Sequence, residues 1–178
     1  MKTCLKCGKQ ANVDLGYTSY CDIHFLQVII KRVRKHMIGT FDFKKTYSII
    51  QDQNTQVAEK LLEKIYRGKL KTKRVKTNQN NTITTHLLED VTDEFVSSFL
   101  EDKEYKIPKG IHPFIVLLRK EFYEVARIFN TQWEVLPSLL DDLEKAHPGT
   151  KFATLKSLNF FEENSSNSEK SLKTNNKK

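Results

Sequence analysis

Two short pairs of metal-binding side chains, Cys4 with Cys7 and Cys21 with His24, constrain this chain more than any other feature. Four donors at this spacing make the closed ligand set of a structural zinc, whereas a catalytic zinc keeps one position open. Gly8 follows Cys7 and lets the backbone bend so that its amides face the sulfurs, which is a zinc knuckle in outline. All three cysteines lie in the first 21 residues. An odd number in a reducing compartment argues against a disulfide framework and for a metal. The remaining histidines, His36, His86, His112 and His147, are scattered and read as cap, surface or core residues.

At 178 residues the chain is long enough for one compact domain with a small appended module. It has no apolar run able to span a bilayer. No signal-peptide pattern follows Met1, because charges and cysteines precede any apolar stretch, so a cytosolic location and no membrane partner are expected. A formal charge of +8 suggests a polyanionic partner, either RNA or an acidic protein.

Behind the second ligand pair, Phe25, Ile29, Val33 and Met37 recur at helical spacing and form a core stripe. Lys31, Arg32, Arg34 and Lys35 flank it, either contacting phosphate or simply solvated. Lys45 to Ile50 reads as a short buried strand and Gln56 to Tyr66 as the helix behind it. The turn between them is Gln51, Asp52, Gln53, Asn54 and Thr55. A phosphate-binding turn uses glycines to bring backbone amides to the anion ahead of a helix. Here no glycine occurs from Thr40 to Arg67, and Asp52 places a negative charge in the turn. The densest basic run follows: Arg67, Lys69, Lys71, Lys73, Arg74 and Lys76, on a candidate strand from Lys71 to Thr77. It is either an edge strand blunted by lysines or a contact to an RNA backbone.

Asn78 to Asn81 reads as a polar turn and Thr82 to His86 as a third strand. Glu89 to Leu100 reads as a helix on which Val91, Phe95 and Phe99 fall four apart, Phe114 to Leu118 as a further strand, and Lys120 to Phe129 as another helix. Leu136, Leu139, Leu140 and Leu143 mark an amphipathic helix that stops at Ala146-His-Pro-Gly149, and Phe152, Leu155, Leu158 and Phe161 begin the next. The alternation predicts an α/β fold. Three parts are expected: residues 1–38 as zinc module and basic helix, 39–163 as the α/β domain, and 164–178, rich in Asn, Ser and Lys, as a disordered tail.

This order of motifs resembles the tRNA thiolation family of the PP-loop (adenine-nucleotide alpha-hydrolase-like, Rossmann-like) superfamily, over roughly residues 4 to 161. Cys4, Cys7, Cys21, His24 and Phe25 match the family's zinc-binding head. Thr85 to Asp93 echoes its GHNxDDxAxT motif, with His86, Glu89 and Asp90 alike in kind. Leu139 to Lys151 meets its acidic helix and HPGTK signature nearly letter for letter. Phe114 to Phe129, with Arg119 and Glu121, is similar to its proline-leucine-arginine segment.

The departures carry as much weight. Active members hold ATP with SGGKDS, where this chain has Gln51 to Gln56, and no cysteine follows Cys21 to carry sulfur. The resemblance therefore narrows to the cytoplasmic tRNA 2-thiolation protein 2 family, the degenerate subunit, in a reduced version. It implies a reduced PP-loop parallel sheet, a structural zinc, no ATP and no catalytic residue. It also implies three partners: tRNA, a catalytic thiolation subunit in a heterodimer, and the ubiquitin-like sulfur-carrier pathway. Two alternatives stay open, a free-standing zinc-containing RNA-binding adaptor and a divergent ATP-dependent tRNA sulfurtransferase.

Overall fold

The computed structural model describes residues 2–77, 81–105 and 108–158. The expected tail at 164–178, Phe161, and most of the turn expected at Asn78 to Asn81 lie outside them. The chain divides into two compact units, Met1–Leu87 with Ile107–Leu136, and Leu88–Lys106 with Pro137–Lys178.

The first unit begins with a hairpin of β1 (Val13–Asp14) and β2 (Ser19–Tyr20), in register Val13 to Tyr20 and Asp14 to Ser19. Its turn is closed by the Leu15 amide donating to the Thr18 carbonyl at 3.0 Å, with Gly16 at φ +90°, where other residues are strained. Helix α1 (Asp22–His36) follows directly and buries Phe25, Ile29 and Val33, with Met37 just beyond, as the stripe predicts.

A parallel sheet comes next, in the order β4 (Lys71–Val75), β3 (Thr46–Ile50), β5 (Thr82–Ile83). Helix α2 (Thr55–Tyr66) crosses from β3 to β4, since parallel neighbours cannot be joined by a tight turn. It buries Val57, Ala58, Leu61, Leu62 and Ile65. Central β3 pairs Thr46 with Lys71 on one side and Ser48 with Thr82 on the other.

The strand expected over Phe114 to Leu118 is absent. Ile111 is the residue that adds to the sheet, by a parallel bridge to Ile83. Pro113, which has no amide hydrogen, ends that pairing. Phe114 and Leu117 are still fully buried, but in a turn closed by the Leu117 amide on the Phe114 carbonyl at 2.9 Å. A short apolar run cannot by itself distinguish a buried strand from a buried turn. Helix α4 (Arg119–Ile128) then packs Phe122, Val125 and Ala126 into the same core as α1 and α2.

In the second unit, α3 (Leu88–Leu100) buries Leu88, Glu89, Val91 and Thr92, while Phe99 lies exposed. The leucine-rich helix is shorter than its pattern predicts. Helix α5 (Asp141–Ala146) starts after Leu136, Leu139 and Leu140: Pro137 disfavours helix at Leu136, and the Ser138 amide donates to Asp141 at 2.8 Å in the turn ahead of the helix. Leu139 and Leu143 are exposed and Leu140 is buried. Residues 150–158 are helical again.

Candidate metal centre and strand-to-helix turn

The four donors of Cys4, Cys7, Cys21 and His24 lie within 4.8 Å of one another. The knuckle closes through the Gly8 amide on the Cys4 carbonyl at 2.9 Å and the Cys4 amide on the Lys9 carbonyl at 2.7 Å, with Gly8 at φ +68°. The Leu5 amide reaches the Ser19 carbonyl at 3.0 Å, which ties the knuckle to β2 and sets Cys21 beside it. Cys21 is also the amino-terminal cap of α1, and His24 stands one turn on, so one helix start supplies two ligands.

The spacings test what this cluster can hold. Cys7 Sγ lies 3.9 Å from Cys21 Sγ, and His24 Nδ1 lies 3.3 Å from Cys21 Sγ and 3.5 Å from Cys4 Sγ. One tetrahedral ion with metal–sulfur bonds near 2.3 Å sets its sulfurs ~3.8 Å apart. The donors therefore fit a single four-coordinate metal ion.

Charge distribution agrees with that. Burial alone would push the Cys4 thiol up, but hydrogen bonds from the Cys21, Lys6 and Cys7 amides and from His24 bring it down to about 6. At Cys7 the Lys9 amide lowers the pKa, but burial and the sulfurs of Cys4 and Cys21 outweigh it and the pKa is raised. Thiolates this close repel until a cation joins them.

At the carboxyl end of β3 the turn Gln51 to Thr55 is filled by its own side chains. Asp52 Oδ1 accepts the Asn54 amide at 2.8 Å and the Thr55 hydroxyl at 3.1 Å, while Oδ2 accepts the Thr85 hydroxyl. Thr55 Oγ1 also accepts the Asp52 amide at 2.7 Å. Asn54 donates to the Thr85 carbonyl at 3.2 Å and accepts the Trp133 indole N–H at 2.6 Å. Thus a carboxylate occupies the end of α2 where the helix dipole and loop amides favour an anion. Thr85 and Trp133 escaped the sequence reading of this turn. The indole is supplied from 79 positions along the chain, a separation at which no local pattern gives a signal.

The basic residues separate into two kinds. Arg32 pairs with buried Glu121 at 2.6 Å and also donates to the Val116 carbonyl, and Arg34 donates to the Ile65 carbonyl at 2.8 Å. Arg74 grips Glu59 through two bonds of 3.0 and 2.6 Å. Lys31, Lys35, Arg67, Lys69, Lys71, Lys73 and Lys76 are exposed.

In the second unit, the Glu89 and Leu139–Lys151 motifs meet. The buried Lys151 ammonium sits 3.1 Å from Glu89 and 2.6 Å from Asp141, while Asp93 accepts the Ser138 hydroxyl at 2.6 Å. Glu144 accepts the Gly149 and Lys151 amides at 2.8 and 2.9 Å, capping the start of the next helix. Asp141, Glu144 and Lys151 of the signature thereby have holding roles, while Asp142 and Lys145 pair with each other at the surface.

No protein-family model matches the sequence, and no curated protein matches it either. Among solved structures, the chain is similar to a U34-tRNA thiolase, NcsA from Methanococcus maripaludis, solved with its [4Fe-4S] cluster. The TM-score is 0.72 at 15% identity, over 90% of this chain and 87% of that one. The fold is thus the α/β architecture with a small parallel sheet of that thiolase, as the resemblance implies. Among the described residues no helix is long and apolar enough to cross a membrane.

Proposed function

We propose that this chain is a non-catalytic subunit of a tRNA thiolation complex, supporting 2-thiolation of the wobble uridine by binding tRNA and an active thiolase subunit. The observation that carries this reading is the Asp52 carboxylate, lodged among Asn54, Thr55 and Thr85 at the head of α2 in a thiolase-like fold. A nucleotide phosphate entering there would meet a like charge and would have to strip that carboxylate of its donors. The chemistry also lacks a sulfur carrier, because all three cysteines of the sequence belong to the metal cluster.

The metal in this reading is zinc, held by Cys4, Cys7, Cys21 and His24. With all four positions taken by protein it organises the fold and offers no open site for substrate. An iron–sulfur cluster spreads its thiolates over several irons, farther apart than these donors lie. Lys31, Lys35 and the exposed lysines around β4 supply the field for tRNA.

Mass spectrometry of tRNA nucleosides from cells lacking this chain should show loss of 2-thiouridine at the wobble position. Unchanged 2-thiouridine, together with failure to co-purify with an active thiolase subunit, would sink the proposal. Micromolar ATP binding by the isolated chain in a direct titration would favour the divergent sulfurtransferase instead.

A further inference from the structure

A cleft of about 330 Å³ opens at the carboxyl ends of α1 and α2, at the end of α2 opposite the Asp52 turn. Its walls are the rings of Phe41, Phe43 and Tyr66, with Ile38, Met37 and Arg34 at their edges. Phe41 meets Tyr66 edge-on at 5.3 Å, and Phe43 leans on it at 5.6 Å and 55°. Two of these apolar groups face solvent, Ile38 at 77% exposure and Phe43 at 45%.

The interior behind the cleft and the cation at its edge differ in polarity. The Tyr66 hydroxyl is buried and finds no hydrogen-bond partner among the described residues. Burial pushes its pKa up while the nearby Arg34 charge pulls it down, so the guanidinium lies close enough to be felt. Aromatic faces beside a cation suit a flat ring that carries a negative charge. The surroundings favour an anion. Lys44 and Lys45 follow Phe43, and Arg67 follows Tyr66. The one carboxylate between the two phenyl rings in sequence, Asp42, accepts the Lys44 amide at 3.0 Å and lies 3.7 Å from Lys45.

We propose that this cleft receives one unpaired nucleotide of an RNA strand, its base against Phe43 and Tyr66 and its phosphate toward Arg34. Stacking on aromatic side chains beside cations is how proteins take single-stranded segments, since every base offers a π-face. The inference rests on the reading of this chain as a tRNA-binding subunit, and adds where an unstacked nucleotide goes.

Fluorescence anisotropy on the full chain, loaded with zinc, tests it with two labelled RNA hairpins, one blunt and one with a short single-stranded extension. The intact chain should prefer the extended hairpin. Phe43→Ala should weaken that binding about tenfold or more and leave the blunt hairpin unchanged. If Phe43→Ala melts the chain, Phe43→Leu keeps apolar bulk on Tyr66 and removes the stacking face. Variants that bind both hairpins like the parent overturn the cleft and leave the RNA-binding reading standing. An intact chain that binds neither hairpin overturns both. Loss of the thiolase subunit by the Phe43 variants, with RNA binding unaltered, would make the cleft a protein-docking surface and overturn this proposal.

Discussion

Cys21 is at once a candidate metal donor and the cap of α1, which has no side-chain hydrogen bond at that position. Substituting it removes one donor and leaves the remaining thiolates without their shared cation. Cys21→Ala should bring metal content from about one ion per chain to near none and lower the melting temperature by about 10 °C or more, read by metal analysis and calorimetry. Lys151 is the second residue on which much depends. Burial would push its ammonium pKa down, but Asp141 and Glu89 outweigh burial and hold it above the ordinary lysine value of 10.5. The folded state therefore prefers the proton. Its stabilisation is complete below about 10.5 and is lost as pH rises through the higher folded value. Neutral or mildly acidic pH should leave this contribution intact, and helical circular dichroism should fall with loss of this pair only in strong alkali. Lys151→Met should cost about 3–5 kcal/mol by taking the buried ammonium from beside the buried Glu89 carboxylate, read by urea unfolding.

Helix α1 shows how one element divides its charges between holding and reaching. Glu121 is almost fully buried, and accepts both Arg32 at 2.6 Å and the Leu118 amide at 3.0 Å, joining α1 to the start of α4. Arg32→Ala should therefore destabilise the first unit by about 3 kcal/mol in chemical denaturation, because it leaves a buried carboxylate without its cation. Lys31→Glu with Lys35→Glu alters two exposed positions on the same helix. It should leave the unfolding midpoint within the error of the measurement while weakening tRNA and flattening the salt dependence of binding. The strand β4 divides in the same way, with Arg74 held by Glu59 on α2 and Lys71 and Lys73 open to solvent.

At the scale of the whole molecule, the metal module is continuous with the body of the first unit. Cys4, Val13 and Tyr20 belong to one buried cluster with Phe25 of α1, Ile49 of β3 and Leu61 of α2. Removing the metal should thus loosen more than the knuckle. With a zinc chelator, amide exchange should rise in α1 and in β3, and an effect confined to residues 4–24 would show the module to be energetically separate. The sequence alone determined the parts whose physics is local. Two donor pairs at fixed spacing, the stripe from Phe25 to Met37, the strand-helix alternation around Thr46 to Tyr66 and a glycine-free turn are each set by residues within a few positions of one another. The tertiary structure decided what depends on partners far along the chain. It made Phe114 to Leu117 a turn, because Ile111 had already taken the place beside Ile83. It turned Arg32 onto the buried Glu121 carboxylate, although its neighbours Lys31 and Lys35 read identically in sequence, and it anchored Arg34 on the Ile65 carbonyl, which leaves that charge unpaired with a carboxylate among the described residues. It also closed the Asp52 turn with Thr85 and Trp133. Composition makes a side chain capable of binding, but long-range packing determines whether its charge and hydrogen bonds are still available once the chain has folded.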